Sequence, residues 1–274
     1  MQQLDQQVVL RNGVPMPSLG FGVWQLQDGR EVSEAVRTAL EVGYRSFDTA
    51  SFYGNETGVG KAIKESGIAR EDIFVTTKVW NQDHGYEQTL RAFEASRRKL
   101  GLDVIDLYLV HWPVKGKYAE TWRALEHLYR EGYARAIGVS NFQTYHLDHL
   151  LETCSIVPMV NQVEFHPLLA QKELRAYCAE HGIQPEAWGP LMSGRLGRAQ
   201  VAEMAAKYGK TPAQIVLRWD IQHGVVTIPK SANRSRMIEN AGIFDFALSD
   251  EDMAALDAMN RNRRFGADPD NFNF

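Results

Sequence analysis

The chain has 274 residues, 44% of them hydrophobic and 23% charged, the balance of a soluble globular protein with enough apolar residues for a large core. A net charge of −4 argues against nucleic acid or another polyanion as the main ligand, though one phosphate group needs only a local basic pocket. No apolar run reaches transmembrane length, MQQLDQQVVLRNG lacks the layout of a signal peptide, and Cys154 and Cys178 form no C-x-x-C, so a cytoplasmic protein with no membrane partner is expected.

Taken in order, the chain opens on a hairpin. Gln7 to Leu10 alternates weakly, Arg11-Asn12-Gly13 turns, and Val14 to Pro17 returns, giving a small plug at one end of the fold. A strand-then-helix unit then recurs. Strands are predicted at 18–22, 45–48, 73–79, 104–110, 134–139, 158–163, 183–188 and 225–228. The fourth, VIDLYLV, is almost wholly apolar, as a strand buried on both faces should be. Helices are predicted at 30–42, 56–66, 86–100, 119–131, 144–151, 171–181, 198–208, 211–223, 235–241 and 249–259. Thr211-Pro212 fits an N-cap and first helical residue, and Ser249 opens a capping box with Asp252 at its far end. Eight alternating units without a linker predict one domain spanning 1–274 with a parallel sheet, and at this length favour a closed (β/α)8 TIM barrel over a doubly wound sheet. The helix count exceeds eight, so extra helices are expected after strand seven and at the C-terminus.

In such a barrel the strand ends share one face, where the chemistry sits. Those ends carry Asp48, Lys78, His111, Ser140-Asn141, Gln162 with Glu164 beyond it, Trp188, and Lys230-Ser231. Tyr53 follows Asp48 on a short loop. A tyrosine hydroxyl titrates near about 10 when unperturbed, and a neighbouring Lys⁺ favours its phenolate. Asp48 is expected to pair with Lys78 and hold it charged, while His111 hydrogen-bonds a substrate carbonyl or shares a proton with Tyr53. A general acid tuned in this way suits protonation of the alkoxide that forms as hydride reaches a carbonyl carbon.

Hydride requires a cofactor. There is no Rossmann fingerprint: Gly20-Phe21-Gly22 and Gly58-Val59-Gly60 both lack the third glycine. Gly54 to Lys61 is one residue too long for a phosphate loop, and Ala62 replaces its hydroxyl residue. Ile228-Pro229-Lys230-Ser231, with Arg234 and Arg236 nearby, joins the end of strand eight to a helix start, where barrels often bind phosphate. That pattern fits a 2′-phosphate and hence NADPH over NADH, with a solvated basic loop as the alternative.

The chain resembles the aldo-keto reductase family over essentially its whole length. GYRSFDTASFYGNE is similar to the family's first signature, and LYLVHWP, IGVSNF, NQVEFHP, AWGPL and IPKSANRSRMIEN follow in order and spacing. The resemblance implies a catalytic tetrad of Asp48, Tyr53, Lys78 and His111, with Tyr53 as proton donor. It implies an extended NADPH whose nicotinamide amide meets Ser140, Asn141 and Gln162, and whose ring lies against Trp188. Gly189, Pro190, Leu191 and Ser193 would follow the pyrophosphate. Lys230, Ser231, Ala232, Asn233 and Arg236 would take the 2′-phosphate side, Glu239 and Asn240 the adenine, and Gly22, Val23 and Asp48 complete the cofactor contacts. Many members have Tyr where this chain has Trp188; either ring stacks. The short loop after Trp112 and the brief tail from Arg263 to Phe274 resemble a bacterial branch that includes 2,5-diketo-D-gluconate and methylglyoxal reductases.

Trp24, Phe52, Trp80 and Trp112 all follow strand ends, so with Tyr53 and His111 they are expected to wall an aromatic pocket for small carbonyl substrates. The family implies a monomer or weak homodimer. His146 and His149 lie one turn apart without an obvious third ligand and are read as surface histidines, with no metal expected. A non-catalytic NADP(H)-binding redox-sensing subunit is the alternative function on the same fold.

Overall fold

The computed structural model describes residues 4, 6–272 and 274. The first three residues and Asp5, part of the N-terminal stretch read above, and Asn273 of the tail lie outside them. The hairpin pairs β1 (Gln7–Val9) antiparallel with β2 (Pro15–Pro17), Val8 opposite Met16. Leu10 and Met16 are buried, and the Asn12 amide donates to the Arg135 carbonyl at 2.9 Å. Arg135 lies at the amino end of a barrel strand, so the hairpin covers the face opposite the strand ends discussed above.

Eight parallel strands follow: β3 (Phe21–Gly22), β4 (Ser46–Asp48), β5 (Phe74–Val79), β6 (Ile105–Val110), β7 (Ala134–Ser140), β8 (Val160–Glu164), β9 (Gln184–Trp188) and β10 (Val226–Thr227). Each pairs with the next in chain order. The sheet closes on itself. Leu19 bridges Thr227 in parallel, the Gly20 N–H donates to the Thr227 carbonyl at 2.9 Å, and the Thr227 N–H donates to the Ser18 carbonyl at 3.0 Å. Regular pairing at this seam is shorter than the apolar runs predict. Gly20 lets the seam tighten, because a Cβ there would stand 2.8 Å from Ile228 Cγ2.

The helices are α1 (Arg30–Val42), α2 (Glu56–Glu65), α3 (Tyr86–Leu100), α4 (Tyr118–Arg130), α5 (Thr144–Leu151), α6 (Lys172–Glu180), α7 (Ala199–Tyr208), α8 (Pro212–Gln222), α9 (Arg234–Ala241) and α10 (Asp250–Asp257). The surplus falls where expected, between β9 and β10 and after α9. Thr211 and Gln214 cap α8 reciprocally. The second box closes only halfway. Ser249 caps the Asp252 N–H, but the Ser249 N–H goes to the Tyr208 hydroxyl, because the Asp252 carboxylate is held by Lys207 and Tyr208. All six residues of β6 are buried, as a strand covered on both faces requires. Beside the main core, Phe165 stacks on Trp219 with centroids 4.6 Å apart, packing α8 over the β8 end. No helix among the described residues is long and apolar enough to cross a membrane.

Candidate active site

β4 ends at Asp48, and one turn of 3-10 helix, Ser51–Tyr53, swings Tyr53 back over the barrel mouth. Gly54 stops that turn in the left-handed region at φ 67°. The neighbouring strand β5 supplies Lys78, fully buried. Its ammonium donates to Asp48 Oδ1 at 2.6 Å, to the Thr49 carbonyl at 2.9 Å and to the Tyr53 hydroxyl at 3.4 Å, so its three N–H bonds all have acceptors. Burial by itself would push the Lys78 pKa down, but Asp48, with Tyr53 and Glu186, together more than offset it and leave the ammonium above its ordinary value.

Tyr53 departs from the sequence expectation. Burial around the hydroxyl raises its pKa, and this outweighs the lowering by Lys78, so the group is a neutral phenol above the usual tyrosine value. His111 lies just past β6, its ring centroid 5.7 Å from that of Tyr53. Burial, then the Lys78 cation, then His84, hold its pKa well below the histidine range, so it is a neutral imidazole. The four groups predicted from sequence therefore converge on one cluster.

Behind them lies a carboxyl that the sequence reading did not single out. Gln162 on β8 donates from Nε2 to Asp48 Oδ2 at 2.7 Å and to Glu186 Oε2 at 2.9 Å. Glu186 is fully buried on β9, and its pKa rises to about 8, first through burial and then through Asp48. Its signal was present: Glu186 shares a strand face with Trp188, two residues on, and a carboxylate on the inward face of a barrel strand needs a partner.

The residues expected at the nicotinamide end also meet. Ser140 faces Gln162 across β7 and β8, and its hydroxyl donates to the Gln162 carbonyl at 2.9 Å. Asn141 adopts the left-handed conformation at φ 65°. Its amide donates to the His111 carbonyl at 3.0 Å, and its Oδ1 accepts the Trp188 indole N–H at 2.8 Å. Trp188 ends β9, half-buried, and Gly189, Pro190, Leu191 and Ser193 follow in a tight turn with Ser193 left-handed at φ 53°. Gly22 and Val23 are buried at the seam, where the Val23 N–H donates to the Asp48 carbonyl at 3.1 Å.

At the far end, Asn233 caps α9 and takes the Arg236 N–H at 3.1 Å, while the Ser231 hydroxyl accepts the Asn233 N–H at 3.0 Å. Ala232 is exposed beside them. Arg234 is turned away into an ion pair with Glu41. Lys230 and Arg236 are exposed and form no ion pair among the described residues, so two cations flank a helix start, a donor set that fits a phosphate. Glu239 already accepts the Thr211 hydroxyl at 2.6 Å, and Asn240 is buried next to it.

The aromatic residues do gather. Phe52 stacks on Trp80 with centroids 3.8 Å apart, Trp24 stacks on Phe52 at 5.6 Å, and Trp80 meets His111 edge-on at 5.1 Å. Trp112 is buried and faces Phe272 and Phe274 of the tail. Phe274 also stacks on Trp80 at 5.7 Å, so the tail supplies two rings that no spacing rule singled out. His146 is a correction: it is buried rather than on the surface, its Nδ1 accepts the Gln143 N–H, and His149 binds the Tyr118 hydroxyl at 2.8 Å. No group of metal-binding side chains occurs among the described residues.

Residues 18–261 match the model of the aldo/keto reductase family. The chain is 59% identical to glyoxal reductase of Bacillus subtilis, over 99% of both chains. It is 46% identical to methylglyoxal reductase DkgA of Escherichia coli, over 97% of both. Among solved structures, a variant of Gox0644 in complex with NADPH superposes with a TM-score of 0.94 at 43% identity, over 98% of this chain and 99% of that one. On sequence and fold alike, the chain belongs to the aldo/keto reductase family.

Proposed function

We propose that this protein reduces small aldehydes, ketones, dicarbonyls or keto-sugars to alcohols with NADPH. The observation that carries this is the buried chain from Asp48 through Lys78 to the Tyr53 hydroxyl, set beside His111 at an aromatic mouth. NADPH, once held by these residues, would provide the hydride for the carbonyl carbon. Tyr53, a neutral phenol, gives its proton to the carbonyl oxygen, and the Lys78 cation stabilises the phenolate left behind. Asp48 keeps Lys78 charged and aimed. Neutral His111 orients the carbonyl oxygen by a hydrogen bond. Lys230 and Arg236, with the α9 start, hold the 2′-phosphate. The names of the Bacillus and Escherichia relatives support a small dicarbonyl such as methylglyoxal.

The test is NADPH consumption with methylglyoxal, nitrobenzaldehyde and diketogluconate. Tyr53→Phe is expected to lower kcat by about 10²–10⁴-fold, the usual worth of a positioned general acid. Wild-type consumption no faster than that of Tyr53→Phe would sink the proposal. We extend the reading to one barrel domain over 1–274, acting in the cytoplasm as a monomer or weak homodimer. The two free cysteines support the reducing compartment, and sedimentation of the purified chain tests the oligomeric state.

A further inference from the structure

The tail passes behind Trp188. Glu164, the last residue of β8, lies opposite Trp188 in the β8–β9 register and is almost wholly buried. Its carboxylate accepts the backbone N–H of Phe265 at 2.7 Å on Oε1 and that of Gly266 at 3.2 Å on Oε2. His166 Nε2 adds a contact at 3.0 Å to Oε1. One strand pair thus sets both the ring and the stretch of tail that crosses it.

The approach at Gly266 is too close for any side chain. A Cβ there would stand 2.3 Å from Cη2 and 2.9 Å from Cζ3 of Trp188. Gly266 has no left-handed φ, so its missing side chain answers to the space taken by the indole and not to backbone conformation. The opposite edge of the same indole donates its N–H to Asn141 Oδ1 at 2.8 Å. The ring is therefore gripped at both edges, by Asn141 on one side and by tail backbone on the other. A tyrosine would lack both the indole N–H and the benzo edge that meets Gly266.

We propose that Gly266 and Glu164 are positioning residues for cofactor binding: the tail backbone, anchored on Glu164, backs Trp188 and fixes the plane against which the nicotinamide of NADPH rests. This depends on the NADPH reading above. It joins two parts of the molecule that the sequence treats separately, the cofactor platform on β9 and the tail that carries Phe272 and Phe274 into the substrate mouth.

The test is a double-mutant cycle read by calorimetric titration with NADPH, without turnover, on proteins whose folding is checked by circular dichroism. Gly266→Ala is expected to weaken NADPH binding by about tenfold with Trp188 in place and by less than about twofold in a Trp188→Tyr background, since the atoms it strikes are then gone. Glu164→Gln, which turns one tail acceptor into a donor, is expected to show the same dependence with a smaller loss and serves if Gly266→Ala does not fold. A tail that merely stabilised the fold would cost the same in both backgrounds. Equal losses in the two backgrounds, or no loss with Trp188 present, overturn the inference and leave the proposed function intact. Failure of the wild-type chain to bind NADPH overturns both.

Discussion

Tyr53 sits under opposing influences, and the balance decides its protonation. Burial favours the phenol, Lys78 favours the phenolate, and the carboxylates of Asp48 and Glu186 push back towards the phenol. Glu186 is the adjustable member of this set. With its pKa near 8 it holds a proton at neutral pH, and Gln162 connects it to Asp48. As pH rises through about 8 it ionises and places a second negative charge beside the pair. The field at Tyr53 then turns more negative, its pKa climbs, and it becomes a weaker acid. The reduction rate is therefore expected to fall with an apparent pKa near 8. Glu186→Gln mimics the protonated carboxyl in shape. It should keep the rate at pH 7 within about threefold while erasing the alkaline limb, since one neutral hydrogen-bonding group replaces another. A pH profile of kcat/KM for both proteins checks this, and an unchanged limb in the variant rules Glu186 out as its source.

At the scale of elements, the α9 start gives the cleanest separation of cofactors. Lys230 and Arg236 are the unpaired cations there, whereas Arg234 is committed to Glu41. Lys230→Ala and Arg236→Ala are each expected to weaken NADPH binding by about tenfold or more, the worth of one hydrogen bond to a charged group, and to leave NADH binding unchanged. Equal losses for both cofactors would place the 2′-phosphate elsewhere. Most elements were legible because helical and strand periods alternate with little ambiguity: α1, α3 and α5 match the predicted spans residue for residue. The barrel seam was less so, since the bridge from Leu19 to Thr227 depends on how closely Gly20 lets Ile228 approach, which no period encodes. The tetrad was legible because each member ends a strand or follows one. The protonation of Tyr53 was not, because it turns on burial supplied by distant parts of the chain. His146 was misjudged for the same reason: its helix position is plain, but its burial depends on Phe142, Tyr118 and Tyr145 packing around it.

Across the whole molecule, the buried titratable groups set opposite limits on stability. His84 is buried, and burial followed by Lys117 lowers its pKa to about 4, against the opposing pull of the Val79 backbone. His146 is likewise lowered to about 4, chiefly by burial. Between about pH 6.5 and 4 the unfolded chain binds protons at these histidines that the folded chain refuses, so stability falls as pH falls through that window. Glu186 acts in the other direction. Its folded pKa of about 8 exceeds the unfolded value, so the folded chain keeps a proton that the unfolded chain releases, and stability falls as pH rises towards 8. Asp220, raised well above its ordinary value by burial, adds to the same side. Stability is thus expected to peak in mildly acidic to neutral solution. His84 offers the sharper test, because the Val79 carbonyl that its imidazole faces keeps the His111 N–H as a donor when the ring is removed. His84→Leu should unfold in urea at the same midpoint as wild type at pH 7 and gain about 1–3 kcal/mol over it by pH 4.5. Parallel losses in both proteins between those pH values would assign the acid limb to other groups, with His146 the next to replace.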